Sequence, residues 1–131
     1  MSEEDVSLVR GGYESFNAGN PQGVLDLLTD DAAWTEPGGG NSAEGTFNGP
    51  EAVGNDVLSL VPQYFDDFKV ETDEFKDEDG TVVVTGRFKG KSKSGKELDA
   101  GFEHTWKVSD GKVTSLNNDV KDKDNWDEAW S

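Results

Sequence analysis

The chain has 131 residues, with 12 Lys and Arg against 28 Asp and Glu, one His and no Cys. That length suits a single domain, 1–131, with a core and room for a pocket. The net charge of -16 repels phosphate backbones and anionic lipid surfaces, which argues against nucleic acid and membrane as partners. Without cysteine there is no disulfide, thiolate metal site or cysteine nucleophile, and a lone histidine is too little for an imidazole-built metal centre.

Ser2 ahead of Asp5 predicts a helix N-cap, after which Val6, Val9, Tyr13 and Phe16 recur on one helical face up to a stop near Gly19. Asn20-Pro21 restarts a short apolar helix through Val24, Leu25, Leu27 and Leu28. Ala32, Trp34 and Glu36 then alternate as one side of a strand. The run Pro37-Gly38-Gly39-Gly40-Asn41-Ser42 predicts a loop, and with no P-loop lysine behind it the run is a poor phosphate cradle. Gly49-Pro50-Glu51 opens a third helix carrying Val53, Val57, Leu60, Val61 and Tyr64 inward.

From Phe68 the period changes to two. Turn residues at 77–80, 93–95 and 109–111 divide the segment into four antiparallel strands near 68–76, 81–91, 96–108 and 112–121. In the third, Leu98, Ala100, Phe102, His104, Trp106 and Val108 share one face and Glu97, Asp99, Glu103, Thr105 and Lys107 the other. Trp126, Ala129 and Trp130 in the polar tail predict a last docked helical turn. Helices first and a meander after is the α+β pattern, with helices packed on one face of a curved antiparallel sheet.

The acids are spread along the whole chain, which predicts an acidic solvated surface suited to a halophilic setting, relieved by a basic patch at Lys89, Lys91, Lys93 and Lys96. Met1 leads into Ser2-Glu3-Glu4-Asp5 with no basic and apolar leader, and no apolar run approaches a membrane span of ~20 residues. The expected location is cytoplasmic.

Four segments, 13-YESFNAGN-20, 24-VLDLLTDDAAWTEPG-38, 45-GTFNGPEAV-53 and 104-HTWKVSDGKV-113, resemble the SnoaL-like, ketosteroid-isomerase-related proteins of the nuclear-transport-factor-2-like superfamily. The resemblance covers nearly the whole chain. It implies a cone in which a curved sheet wraps N-terminal helices around an apolar cavity, often in a homodimer paired through the outer sheet face. It implies no cofactor. The superfamily hosts isomerases, dehydratases, cyclases, epoxide hydrolases and non-catalytic carriers, so chemistry rests on the residues lining the cone.

Glu36 is the first candidate, since Glu36-Pro37 stands where ketosteroid isomerase keeps its proton-abstracting carboxylate, and alternation sets it beside Trp34 at an apolar wall. His104, between Phe102 and Trp106, projects into the cone as the acid or polarising partner, or else as a core histidine satisfied by Tyr13 or a carbonyl. Glu103 matches the isomerase's protonated acid by position, but period two turns it outward. The isomerase's helical tyrosine falls on Gly12, one residue before Tyr13. If Leu116 faces inward, Asn118 is the polar group nearest His104, with Asp119 and Asp122 the nearby acids. Tyr13, Phe16, Trp34, Tyr64, Phe102, Trp106 and Asn118 are the expected ligand-binding wall. These residues predict cofactor-independent proton transfer on a small apolar carbonyl compound. The alternatives are a non-catalytic binding module with the same cavity, and an accessory domain whose cone is filled; a pocket of several hundred Å3 would argue against the last.

Overall fold

The structure is a computed structural model that describes residues 2–131, with side chains from Glu3 onward. The capping role expected of the Ser2 side chain lies outside the described residues. Helix α1 (Ser2–Asn17) carries Glu3, Glu4 and Asp5 in its first turn, where acids favour the helix dipole. It buries Val9 and Tyr13 against the sheet, with Val6 and Phe16 packed beside them. Its end is tied to strand β3 (Phe65–Glu78) by Asn17, whose amide donates to the Val70 carbonyl and accepts from the Val70 N–H.

Helix α2 (Gln22–Leu25) is one turn long and follows Pro21. Leu28, expected on that helix, instead opens strand β1 (Leu28–Pro37) opposite Val113. Four residues cannot offset helix nucleation by themselves, whereas the strand gains ladder bonds at once. Strand β2 (Glu44–Asn48) was not foreseen: it is an exposed edge strand, so no buried face imposes an apolar alternation on it.

The third helical stretch is broken in the middle. It runs as α3 (Gly49–Val53), a π-helical turn Gly54–Leu58, and α4 (Leu60–Tyr64). The Ser59 N–H reaches back to the Gly54 carbonyl, and Pro62 has no N–H to return to Leu58, so a regular ladder cannot pass. Val53 and Val57 still face the core.

Strands β3, β4 (Thr81–Ser92), β5 (Glu97–Ser109) and β6 (Lys112–Val120) form the expected antiparallel meander. The full order is β2-β1-β6-β5-β4-β3, and β1 pairs with β6 in parallel. Sheet curvature has a local cause at Gly86, where a Cβ would stand 2.1 Å from the Glu71 carbonyl oxygen, opposite an irregularity in β3 between Thr72 and Glu74. All six inward residues of β5, from Leu98 to Val108, are buried. The outer face carries ion pairs such as Arg87–Asp99 at 2.6 Å and Lys121–Asp119 at 2.8 Å.

Helix α5 (Lys123–Ala129) closes the fold. The Trp126 indole N–H donates to the Gly38 carbonyl at 3.0 Å, and Asn41 donates to the Trp130 carbonyl through both its backbone and its side-chain amide. The glycine run therefore grips this helix: at Gly40, with φ 56°, a Cβ would lie 2.7 Å from the Trp130 carbonyl carbon. No helix among the described residues is long and apolar enough to cross a membrane.

Candidate functional site

Register across three neighbouring strands builds the site. His104 on β5 pairs directly with Asn118 on β6, and Thr35 pairs with Asn117, which brings Glu36 on β1 beside Asn118. The neighbouring row is Trp34, Leu116 and Trp106. Helix α1 lays Tyr13 over both rows, its ring parallel to the His104 ring at 5.8 Å and edge-on to Trp106 at 5.6 Å.

The polar groups of these residues form one continuous chain. Trp106 Nε1–H donates to the Tyr13 hydroxyl oxygen at 2.8 Å, and that hydroxyl is 2.7 Å from His104 Nδ1. His104 Nε2 is 2.9 Å from Asn118 Oδ1, and Asn118 Nδ2 donates to Glu36 Oε1 at 2.9 Å. Trp34 Nε1–H donates to Glu36 Oε2 at 2.6 Å. Tyr13, His104, Asn118, Trp34 and Trp106 are all buried, so the bonds from Trp106 through Tyr13 and His104 to Asn118 are made away from water, while the two bonds to Glu36 are part-buried.

Burial sets the acid–base character. Desolvation pushes the Glu36 carboxyl up to about 7, against the hydrogen bonds from Asn118 and Trp34 that favour its charge. Desolvation pushes His104 down to about 3, opposed by the bond to Asn118, so the imidazole is neutral. The Tyr13 phenol is raised further above its ordinary value by burial and keeps its proton. Glu36 and His104 are thus neighbours through Asn118, not in direct contact. Glu36 is the member of the pair that changes charge near neutrality.

The cavity beside this chain has a volume of about 90 Å3. Of the residues expected to line it, Tyr13, Phe16, Trp34, Glu36, His104, Trp106 and Asn118 do. Phe102 and Tyr64 lie behind the wall: Phe102 stacks on His104 at 3.9 Å and Tyr64 packs on Trp130 at 6.0 Å. Phe68, Phe88, Trp126 and Trp130 line the cavity without having been singled out as wall residues. Phe88 was open to discovery from the alternation of β4, which buries Val82, Val84 and Phe88 on one face. The Trp130 indole N–H is buried without a hydrogen-bond partner, an uncommitted donor among the lining side chains.

Glu103 stays outside, paired with Lys121 at 3.8 Å, because β5 holds its register against β6 from Phe102 through Lys107. Asp119 pairs with Lys121, and Asp122 accepts from the Gly101 N–H, so neither acid enters the cavity. Among the described residues no group of three or more His, Asp or Glu side chains is placed to hold a metal ion.

Solved structures share this architecture from end to end. The Bal32a protein from a soil-derived mobile gene cassette is 26% identical, with a TM-score of 0.89 over 99% of this chain and 98% of its own. A nuclear-transport-factor-2-like protein of unknown function from Burkholderia pseudomallei is also 26% identical, with a TM-score of 0.90 over 100% of this chain and 99% of its own. A candidate SnoaL-like polyketide cyclase from Jannaschia sp. shares the fold at 13% identity, with a TM-score of 0.81 over 99% of this chain and 94% of its own. These define the class: a nuclear-transport-factor-2-like α+β cone. Residues 9–116 match the SnoaL-like domain, and the chain belongs to that family. No curated protein matches it.

Proposed function

We propose that the chain is a cofactor-independent acid–base enzyme acting on a small apolar carbonyl compound, with Glu36 as the proton acceptor. The observation that carries this reading is a carboxyl group set at an aromatic-walled cavity with its two oxygens fixed by Asn118 and Trp34, where burial pushes it up to about 7. A base titrating near the working pH combines availability with driving force. Tyr13, His104 and Asn118 orient that base. The cavity volume of about 90 Å3 falls short of the several hundred Å3 that would argue against a filled cone, and it restricts any substrate to a compact one, because aromatic side chains occupy much of the cone. Kinship with candidate polyketide cyclases supports an isomerase or cyclase type of proton transfer.

The test is turnover of small enolisable ketones, epoxides and lactones by wild type and by Glu36→Gln. Removal of the base is expected to lower kcat by about 10²–10⁴-fold. Equal turnover by the variant would refute Glu36 as base. The second reading, a non-catalytic binding protein, is favoured by one feature: hydrogen bonds commit Tyr13, His104, Asn118, Trp34 and Trp106 to one another and to Glu36. A ligand retained unchanged by wild type would select it.

We also propose a cytoplasmic homodimer paired through the outer sheet face in a high-salt setting. Each protomer carries -16, so association depends on screening, whose length falls from ~10 Å at 0.1 M salt to ~3 Å at 1 M. Sedimentation at micromolar concentration is expected to show dimers in 1 M KCl that dissociate in 0.1 M KCl, the two screening regimes above. Monomers in both would contradict the dimer, and dimers in both would contradict the dependence on salt.

A further inference from the structure

The hydrogen-bond chain has a direction, and indole groups set it from both ends. An indole N–H can only donate. Trp106 therefore makes the Tyr13 oxygen an acceptor, and the Tyr13 hydrogen, having one polar partner left, goes to His104 Nδ1. The neutral imidazole then carries its hydrogen on Nε2 and gives it to Asn118 Oδ1, which turns Asn118 Nδ2 toward Glu36. Trp34 Nε1–H donates to the other carboxylate oxygen, Oε2. In this direction each residue of the chain is joined to the next, and the chain ends on an ionised carboxylate.

A proton placed on the Oε1 lone pair that Asn118 Nδ2 occupies meets a hydrogen, a donor against a donor. The bond is recovered when Asn118 turns its amide over. Nδ2 then faces His104 Nε2, which must become the acceptor, so the imidazole carries its hydrogen on Nδ1 and gives it to Tyr13. The Tyr13 oxygen now accepts from both Trp106 and His104, and its own hydrogen is free for an acceptor in the cavity that Tyr13 lines. The alternative direction with an empty cavity would leave that hydroxyl buried without an acceptor, which carries a desolvation cost.

We propose that protonation of Glu36 reverses the chain from Glu36 to Tyr13, so that a site that has taken up a proton offers the Tyr13 hydroxyl to a carbonyl oxygen of its ligand. This rests on Glu36 being the group that exchanges a proton with the ligand. One proton is gained, at Glu36; the Tyr13 hydroxyl hydrogen passes to His104 Nδ1, the Nε2 hydrogen leaves to solvent and Tyr13 takes one back from solvent, so the imidazole and the phenol both stay neutral while Asn118 keeps its hydrogens. The titratable side chains lining the cavity are Tyr13 from α1, Glu36 from β1 and His104 from β5. The other elements packed there present residues that do not titrate, such as Val70, Phe88, Asn118, Val57 and Trp126. Burial keeps His104 from becoming an imidazolium in the range where Glu36 titrates.

Nitrogen NMR of 15N-histidine protein in excess acetone, which supplies a carbonyl oxygen to the cavity, reads the tautomer directly, with the Glu36 carboxyl followed by 13C in the same sample. Above about pH 7 the hydrogen is expected on Nε2; below it, on Nδ1, with the ring neutral on both sides. Glu36→Gln is expected to show Nδ1–H at every pH, because Trp34 claims the amide oxygen and leaves the Gln –NH2 facing Asn118. A His104 that keeps Nε2–H while Glu36 titrates, and keeps it in the variant, would overturn the reversal and leave the base intact. A Glu36 that does not titrate near pH 7 would instead overturn the base reading on which the reversal rests.

Discussion

Trp126→Ala is expected to lower stability by about 3–5 kcal/mol, the usual cost of truncating a buried tryptophan, and Tm by roughly 10–20 °C for a domain of this size. Trp126 is 3% exposed, its ring lies 4.8 Å from Phe88 and 5.6 Å from Trp130, and its N–H satisfies the Gly38 carbonyl. Truncation removes packing from the cavity wall, joins the vacated space to the cavity and strands a carbonyl of the glycine loop. Trp126→Phe keeps much of the packing and loses only the donor, so about 1–2 kcal/mol is expected. Chemical denaturation of the pair separates the two contributions. An alanine variant melting with wild type would show that α5 does not seal the core.

The second large effect is a pH dependence that wild type conceals. Glu36 has a folded-state pKa of about 7 against 4.5 for an ordinary carboxyl. Between those values the folded state holds a proton that the unfolded state has released, so its contribution to stability falls as pH rises through the window and levels off above it. His104 works oppositely. Its folded value of about 3 lies below the ordinary 6.5, so stability is lost as pH falls from the upper value toward the lower. In wild type the two slopes oppose each other over the shared range. In Glu36→Gln only the histidine slope remains. Stability of the variant relative to wild type is expected to rise by about 2–3 kcal/mol between about pH 4 and pH 8, allowing for the partial exposure of Glu36. The surface carboxylates are common to both proteins and cancel. A difference that stays constant with pH would show that the carboxyl is not held up by its surroundings.

What could be read from the chain follows from where one face meets water and the other meets core. β5 was legible residue by residue because Leu98 through Val108 are buried while Glu97, Asp99 and Lys107 are exposed. Asn118 was legible for the same reason, once Leu116 faced inward. The parallel pairing of β1 with β6 was not, since it joins residues about eighty positions apart, and with it went the bridge from His104 through Asn118 to Glu36. β2 had no buried face to betray it. The cavity volume was beyond reach as well: it depends on how far Phe68, Phe88, Trp126 and Trp130 project into the cone, which composition does not specify.

The clasp between the glycine loop and α5 also bears on the order of assembly. Residues 38–41 are made early and wait for Trp126 and Trp130, to which they bond across 88 and 89 positions. β1 likewise waits for β6. Pairings of such wide sequence separation slow folding, because loop closure must precede any reward from contact. A nascent chain therefore holds an unsealed apolar hollow until α5 has been made, and chaperone dependence or aggregation should concentrate in that interval.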